Sequence, residues 1–205
     1  MTSPWTKEEL INEITKRDFV TIDLGCGPNP NPNIIGIDSL PLEGVHYVTD
    51  LEKGLPFLED NSVDKVTSRH FMEHIENFEQ LISEIYRVLK VGGENHVIVP
   101  YWVNPHYYSD YTHKRFFGLY TFDYLSDGNN DKPLKRKVPT FYNNINFNVF
   151  ERTIVFRDGN NQVLNLWKKR ILQPLFNAST GTQEFYEFYL SYLFPASEII
   201  FKMKK

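Results

Sequence analysis

The stretch FVTIDLGCG, from Phe19 to Gly27, decides the fold of this 205-residue chain. Its first six residues form a short, mostly apolar and β-branched run, which is typical of a buried strand. Gly25 and Gly27 follow at once, and glycines at the carboxyl end of a strand let the backbone approach a ligand closely. Because ligands of open α/β sheets bind at that edge of the sheet, the stretch predicts a ligand site in an α/β domain.

Strand and helix patterns alternate on either side of this stretch. Thr6-Lys7-Glu8-Glu9 forms a capping box, which predicts a helix over residues 6–17. Apolar positions from Phe78 to Leu89 recur at helical spacing, and Gly92-Gly93 is a typical C-terminal stop for that helix. The alternation indicates a parallel sheet with helices on both faces. The predicted strands are residues 19–24, 34–38, 46–50, 65–68 and 96–99.

The chain changes character after Pro100. Ten aromatic residues stand between Tyr101 and Leu125. Since there is no internal repeat and no low-complexity linker, we expect a single domain over residues 1–205, in which 101–205 elaborates a core formed by 1–100. The predicted elements of this second half are strands at 147–156 and 198–203 and helices at 163–175 and 183–193.

The connection from the first strand to the second is short and rich in proline. Residues 25–33 contain Pro28, Pro30 and Pro32. A crossover between parallel strands usually needs about ten or more residues with a helix, whereas alternating prolines favour extended backbone. We therefore expect no first crossover helix, an extended connection over residues 28–33, and the helix at 6–17 on the sheet face left open.

Several motifs stand in a fixed order along the chain. They are Asp23–Gly27, Asp38, Asp50-Leu51, Leu55-Pro56-Phe57 with Ser62-Val63-Asp64, His70–Ile75, EIYRVLKVGG at Glu84–Gly93, and Asp110–Phe116. Their order and spacing resemble class I S-adenosylmethionine-dependent methyltransferases of the UbiE-like, small-molecule type. The resemblance implies a Rossmann-like sheet, mostly parallel with an antiparallel last strand, S-adenosylmethionine as cofactor, and methyl transfer as activity. It also implies that residues 1–100 are a cofactor-binding core and that 101–205 are an acceptor-side elaboration with the closing strands.

The resemblance further implies which residues hold the methionine and ribose parts of the cofactor. Gly25 and Gly27 would let the loop pass under the methionine part, with Asp23 holding its ammonium group. Asp38, followed by Ser39, would bind the ribose hydroxyls.

The remaining implied contacts lie further along the chain. Asp50 would accept a hydrogen bond from the adenine amino group, and the Leu51 amide would contact a ring nitrogen. Arg69 or His70 would line the carboxylate or methyl side of the cofactor. Without a crossover helix the cofactor carboxylate loses a helix N-terminus as partner, so Arg69 or the amides from Cys26 to Asn29 are the expected substitutes.

Other interpretations of the same motifs are weaker. A nicotinamide site needs Gly-x-Gly-x-x-Gly opening a helix, but Pro30 stands where the third glycine would be. His70–His74 spells the His-x-x-Glu-His of some zinc peptidases, yet no third ligand is evident, so we expect no metal site and a packing or helix-start role for His74. Cys26 is the only cysteine, which excludes an intrachain disulfide. Its small size beside the cofactor explains it better than a reactive thiol does.

The acceptor side offers candidate catalytic residues. A hydroxyl acceptor needs a base near neutral pH, and histidine is the usual choice. His106 and His113 lie in the aromatic segment, and we expect His113 as base with Asp110 orienting it; the alternative is a capping or lid role. The aromatic residues either form a lid core or stack on a planar or sugar acceptor. We therefore predict O- or N-methylation of a small-molecule or sugar-like acceptor.

Net charge and hydropathy limit the kinds of partner that we expect the chain to bind. The net charge of −4 argues against nucleic acid, although short basic stretches at 132–137, 168–170 and 202–205 leave an RNA methyltransferase as one alternative. A second alternative is a non-catalytic S-adenosylmethionine-binding partner or regulatory protein, against which the complete set of motif residues argues. No apolar run reaches the ~18 residues of a membrane span, and the N-terminus lacks a signal-peptide pattern. We expect no membrane span and a cytoplasmic location.

Overall fold

The computed structural model describes residues 4–28, 31, 33–157 and 162–205. The chain divides into two compact units, residues 1–97 with 204–205, and residues 98–203. No helix formed by the described residues has both the length and the apolar character that crossing a bilayer demands.

The first unit alternates helices and strands along the chain. Two 3₁₀ turns, Leu51–Lys53 and Met72–His74, follow the third and fourth strands. The elements are α1 (Lys7–Lys16), β1 (Thr21–Leu24), β2 (Ile35–Asp38), β3 (Tyr47–Val48), β4 (Val63–Arg69), α2 (Phe78–Val88) and β5 (Leu89–Pro100), which continues past the unit.

Seven strands form one sheet in the order β3-β2-β1-β4-β5-β7-β6, where β6 is Asn148–Val155 and β7 is Glu198–Lys204. β1 pairs in parallel with β2 and β4, and β2 with β3. The Gly92 amide donates to the Lys205 carbonyl (2.9 Å), and the Tyr101 amide donates to the Ser197 carbonyl (3.1 Å). β7 is therefore antiparallel to β5. The predicted α/β sheet, mostly parallel with an antiparallel last strand, is confirmed.

The helix predicted at residues 6–17 is α1. The Thr6 hydroxyl accepts from the Glu9 amide (3.3 Å), and the Glu9 carboxylate accepts from the Thr6 amide (2.7 Å), so both halves of the capping box form. Leu10 is its fully buried residue. Ahead of the helix, the Trp5 amide donates to the His46 carbonyl (2.7 Å), which ties the start of the chain to the segment before β3.

The prediction that Gly92-Gly93 ends the second helix is wrong. α2 ends at Val88, and β5 already begins at Leu89 and runs through both glycines. The Gly92 amide donates to the Lys205 carbonyl and the Lys205 amide donates to the Gly93 carbonyl. Pairing with the C-terminal strand therefore prevails over the local stop signal of the glycines.

The first crossover has no helix in its described part. Gly25–Pro28, Asn31, Asn33 and Ile34 all lie outside helices, as predicted. Residues 29, 30 and 32 of the predicted extended connection lie outside the described residues.

The second unit carries the predicted strand 147–156 as β6 and the strand 198–203 as β7. The helix predicted over 163–175 is α3 (Gln162–Trp167), a π-helical segment (Lys168–Leu172) and α4 (Gln173–Phe176). The helix predicted over 183–193 is α5 (Thr180–Phe185) followed by a π-helical segment (Tyr186–Leu190). Within the aromatic segment, Tyr101, Phe117 and Phe122 are fully buried and form part of this unit's core, whereas Tyr108 and Tyr111 are exposed.

Candidate functional site

The carboxyl ends of β1 and β2 meet in one tightly bonded corner of the first unit. The amides of Gly25 (2.9 Å) and Cys26 (3.3 Å) both donate to the Ile37 carbonyl. The Gly27 amide donates to Oδ2 of Asp38 (2.9 Å). Parallel pairing of β1 and β2 thus brings the predicted glycine loop and the predicted ribose-binding carboxylate together.

The two glycines of this loop have positive φ, +63° at Gly25 and +55° at Gly27. A Cβ at Gly25 would lie 2.2 Å from Cδ2 of Phe71, so that ring packs directly against the glycine. A Cβ at Gly27 would meet nothing within 4 Å among the described residues. Gly27 therefore presents open backbone to a ligand, whereas Gly25 is held by a neighbour.

Gly25→Ala is expected to destabilise the protein by roughly 2–5 kcal/mol, because left-handed strain of about 1–2 kcal/mol adds to an overpacking cost of about 1–3 kcal/mol. Gly27→Ala is the matched control, with the strain but without the clash. Urea unfolding gives both free energies. Adding Phe71→Ala to Gly25→Ala should recover part of the loss; equal losses for the two single variants would show that the Phe71 contact costs nothing.

The Asp38 carboxylate accepts hydrogen bonds both from the loop after β1 and from the turn after β2. Besides the Gly27 amide at Oδ2, its Oδ1 accepts from the Leu40 amide (3.1 Å) and weakly from the Ser39 hydroxyl (3.4 Å). A carboxylate has about four acceptor positions, so Oδ2 keeps one and Oδ1 regains one if the Ser39 hydroxyl rotates. Asp38 can thus accept from a ligand hydroxyl while it still holds the loop.

Asp23 lies beside this corner on β1. Its carboxylate accepts from the Thr67 hydroxyl at 2.7 Å, and the two residues are direct partners in the β1–β4 pairing. Burial raises the pKa of the Asp23 carboxyl above its ordinary value, and the Thr67 bond offsets part of that rise. A cationic group placed beside Asp23 would favour its ionised form.

Cys26 packs inward. A Cβ at Gly36 would lie 2.7 Å from the Cys26 sulfur, so the thiol fills the space beside that glycine. Burial, with the charges of Asp38 and Asp23, raises the pKa of the Cys26 thiol to about 12. Since the thiolate is the reactive form, this geometry favours a packing role over a reactive thiol.

Asp50 and Leu51 form the turn after β3. The Asp50 carboxylate caps the turn by accepting from the Glu52 amide (3.1 Å) and lies 3.3 Å from the Lys53 ammonium. Leu51 is buried, whereas Asp50 is exposed.

Arg69 and His70 follow the end of β4. Arg69 is exposed, and His70 has φ +50°. A non-glycine residue in that region costs about 1–3 kcal/mol and is typical of functional sites. The Nδ1 of His70 lies 3.3 Å from Oε1 of Glu73, which is fully buried. His70 precedes the 3₁₀ turn that contains His74, so the two histidines do not share one α-helical face as the zinc interpretation requires.

Three residues around this corner escaped the sequence analysis. Thr67 and Phe71 depend on the pairing register and on ring packing. Glu73 lay within a quoted motif, but nothing in its pattern distinguished a buried carboxylate from an exposed one. Asn29, predicted to contact the cofactor, lies outside the described residues.

Asp110 and His113 lie together in the second unit. Nδ1 of His113 lies 3.0 Å from the Tyr107 carbonyl, and Nε2 lies 3.5 Å from Oδ2 of Asp110. A ring nitrogen next to a carbonyl oxygen carries the proton, so Nε2 is the basic nitrogen in the neutral ring. The carbonyl, rather than Asp110, orients the imidazole, and Asp110 faces the nitrogen that would act as base.

Part of the chain is similar to a known protein family. Residues 26–96 match the family described as "Methyltransferase domain". No curated protein is similar enough in sequence to match the chain.

Three solved structures share the fold. A SAM-dependent methyltransferase from Archaeoglobus fulgidus is 20% identical with a TM-score of 0.54, over 97% of this chain and 92% of that one. The YcgJ protein of Bacillus subtilis is 17% identical with a TM-score of 0.53, over 97% of both chains. Phosphoethanolamine N-methyltransferase 2 of Haemonchus contortus, in complex with S-adenosyl-L-methionine, is 16% identical with a TM-score of 0.52, over 97% of this chain and 52% of that one. Residues 26–96 are thus similar to a methyltransferase domain, and the chain has the fold that these solved structures share.

Proposed function

We propose that the chain binds S-adenosylmethionine at the corner formed by Asp23, Gly25–Gly27 and Asp38 and transfers its methyl group to a small-molecule or sugar-like acceptor of the UbiE-like kind. The observation that carries the cofactor placement is the Gly27 amide on Asp38, with open space above Gly27. Bound S-adenosylmethionine supplies an electrophilic methyl group. The chain's own task is to position the acceptor against it.

The other predicted contacts complete this proposal. Asp23 has a half-buried carboxylate that would hold the ammonium group, and Asp50 is exposed and would accept from the adenine amino group beside the Leu51 amide. Arg69 or His70 would line the carboxylate or methyl side of the cofactor. Among the amides considered for the cofactor carboxylate, those of Cys26 and Gly27 already donate to the Ile37 carbonyl and to Asp38, and Pro28 has no N–H, so Arg69 is the proposed partner of that carboxylate.

Asp38→Ala is expected to weaken S-adenosylhomocysteine binding by about ten- to a hundredfold, because a charge-assisted hydrogen bond is worth roughly 1.5–3 kcal/mol. Calorimetric titration gives the affinity. Glu43→Ala, an exposed carboxylate in the turn after β2, removes the same charge and should bind like the parent. Equal affinity of Asp38→Ala and the parent would remove Asp38 from the site.

His113 is the proposed base for a hydroxyl acceptor, with Nε2 taking the proton. Asp110 beside it would stabilise the protonated ring rather than fix its tautomer. An amine acceptor would need positioning more than a base.

The acceptor class separates this proposal from its alternatives. Radiolabelled cofactor supplied with metabolite extract should label small molecules, and labelling should persist as salt is raised. Labelling of RNA that falls steeply with salt would favour an RNA methyltransferase instead. Cofactor binding without transfer to either pool would favour a regulatory or partner protein. A cytoplasmic location stays a prediction.

A further inference from the structure

One pocket is lined only by residues of the second unit, 98–203. It has a volume of about 250 Å³ and is open to solvent. Its lining residues are Tyr120, Lys135, Arg136, Gly181, Glu184, Phe185, Phe188 and Tyr189.

Glu184 lines this pocket and is 5% exposed. Its Oε1 accepts from the Tyr120 hydroxyl (2.9 Å) and from the amides of Lys135 (2.8 Å) and Arg136 (3.3 Å). Its Oε2 is buried and has no hydrogen-bond partner among the described residues. A buried acceptor without a donor costs about 1–3 kcal/mol, so a ligand that brings an N–H or O–H group would recover that cost.

Aromatic rings form the walls. Phe185 and Tyr189 have ring centroids 5.2 Å apart. Phe185, Phe188 and Tyr189 are 53%, 60% and 72% exposed. Large aromatic side chains bind planar ligands by stacking. These aromatic side chains therefore favour a ligand with a flat, apolar ring.

Two cationic residues also line the pocket. Lys135 and Arg136 are exposed, and the Arg136 guanidinium lies 5.4 Å from the centroid of the Tyr120 ring. Their backbone amides hold Glu184, so their side chains begin directly beside the carboxylate. A ligand that donates to Glu184 and extends outward meets positive charge.

We propose that this pocket binds a planar aromatic molecule that donates an N–H or O–H group to Oε2 of Glu184 and carries an acidic group toward Lys135 and Arg136. The proposal does not rest on the cofactor corner, because every residue it uses belongs to the second unit.

Three probes test the pocket by calorimetric titration of the full chain: indole carboxylate, its ring N-methyl analogue, and plain indole. Indole carboxylate should bind at least about tenfold more tightly than the N-methyl analogue, which lacks the donor, and than indole, which lacks the acid. No binding of indole carboxylate at millimolar concentration would overturn the proposal, as would equal affinity for the N-methyl analogue.

Glu184→Gln is the decisive variant. Its carbonyl oxygen can keep the three donors on Oε1, while its amide nitrogen replaces the free oxygen with a donor. Indole carboxylate should lose about ten- to a hundredfold in affinity, and S-adenosylhomocysteine binding should not change. Phe188→Ala should also weaken the probe, whereas Leu193→Ala, an exposed apolar residue outside the lining, should not. Unchanged probe affinity in Glu184→Gln would place the probe elsewhere and overturn the proposal.

Discussion

Asp123→Ala is expected to lower the free energy of unfolding by about 3–5 kcal/mol, because it leaves a buried guanidinium without its counter-charge. Asp123 and Arg152 are 8% and 3% exposed, and Oδ2 of Asp123 lies 2.5 Å from Nη2 of Arg152. The remaining donors and acceptors are largely engaged: Asn130 donates to Oδ1 of Asp123 (2.8 Å), and Arg152 donates to the Lys132 carbonyl (2.7 Å). Urea unfolding measures this loss of free energy, provided that the m-value of the variant equals that of the parent.

The neighbouring residue on β6 provides the control. Glu151 pairs with Lys202 at 2.8 Å, but each side chain is 32% exposed. Glu151→Ala should therefore cost no more than about 1 kcal/mol. Replacing both buried partners, Asp123→Leu with Arg152→Met, should recover much of the loss. A cost below about 1 kcal/mol for Asp123→Ala would show that Arg152 reaches water and that the pair does not hold the second unit.

His113→Ala is expected to lower turnover of a hydroxyl acceptor by about 10²–10⁴-fold with little change in cofactor affinity, as loss of a general base does. The variant also removes the bond to the Tyr107 carbonyl and the packing of the two rings, whose centroids lie 4.6 Å apart. His113→Asn keeps a donor for that carbonyl without a base. It should therefore fold like the parent and lose turnover.

His106, exposed and in the same segment, is the control, and His106→Ala should retain turnover. A lid residue behaves differently from a base. If His113→Asn keeps turnover but raises the KM for the acceptor, or if only stability changes, His113 is structural. Exposed aromatics such as Tyr108 and Tyr111 would then be the next candidates for acceptor contacts.

Local signals predicted much of the first unit. The Thr6 capping box defined the start of α1, because its hydrogen bonds are made within four residues. Short apolar runs located β1 and β2, and the prolines of the crossover predicted that its described part forms no helix. The family resemblance assigned both the glycine loop and Asp38 to the cofactor, and the two lie together because parallel strands end at the same edge of a sheet.

Features set by distant pairing could not be predicted. The start of β5 at Leu89 depends on bonds to Lys205, more than a hundred residues away. The partnership of Asp23 with Thr67 needs the β1–β4 register. In the second unit, the aromatic density of residues 101–125 gave no means of separating buried Phe117 from exposed Tyr111, because both occur in an irregular segment without periodicity.

A crystal structure of the complex with S-adenosylhomocysteine tests the central claim most directly. We expect the ribose hydroxyls at Asp38, the methionine part over Gly25–Gly27, and the amino group beside Asp23. The backbone of the corner should change little, because Gly27 and Asp38 are already bonded. S-adenosylhomocysteine bound away from the carboxyl ends of β1 and β2, or no binding at millimolar concentration, would contradict it.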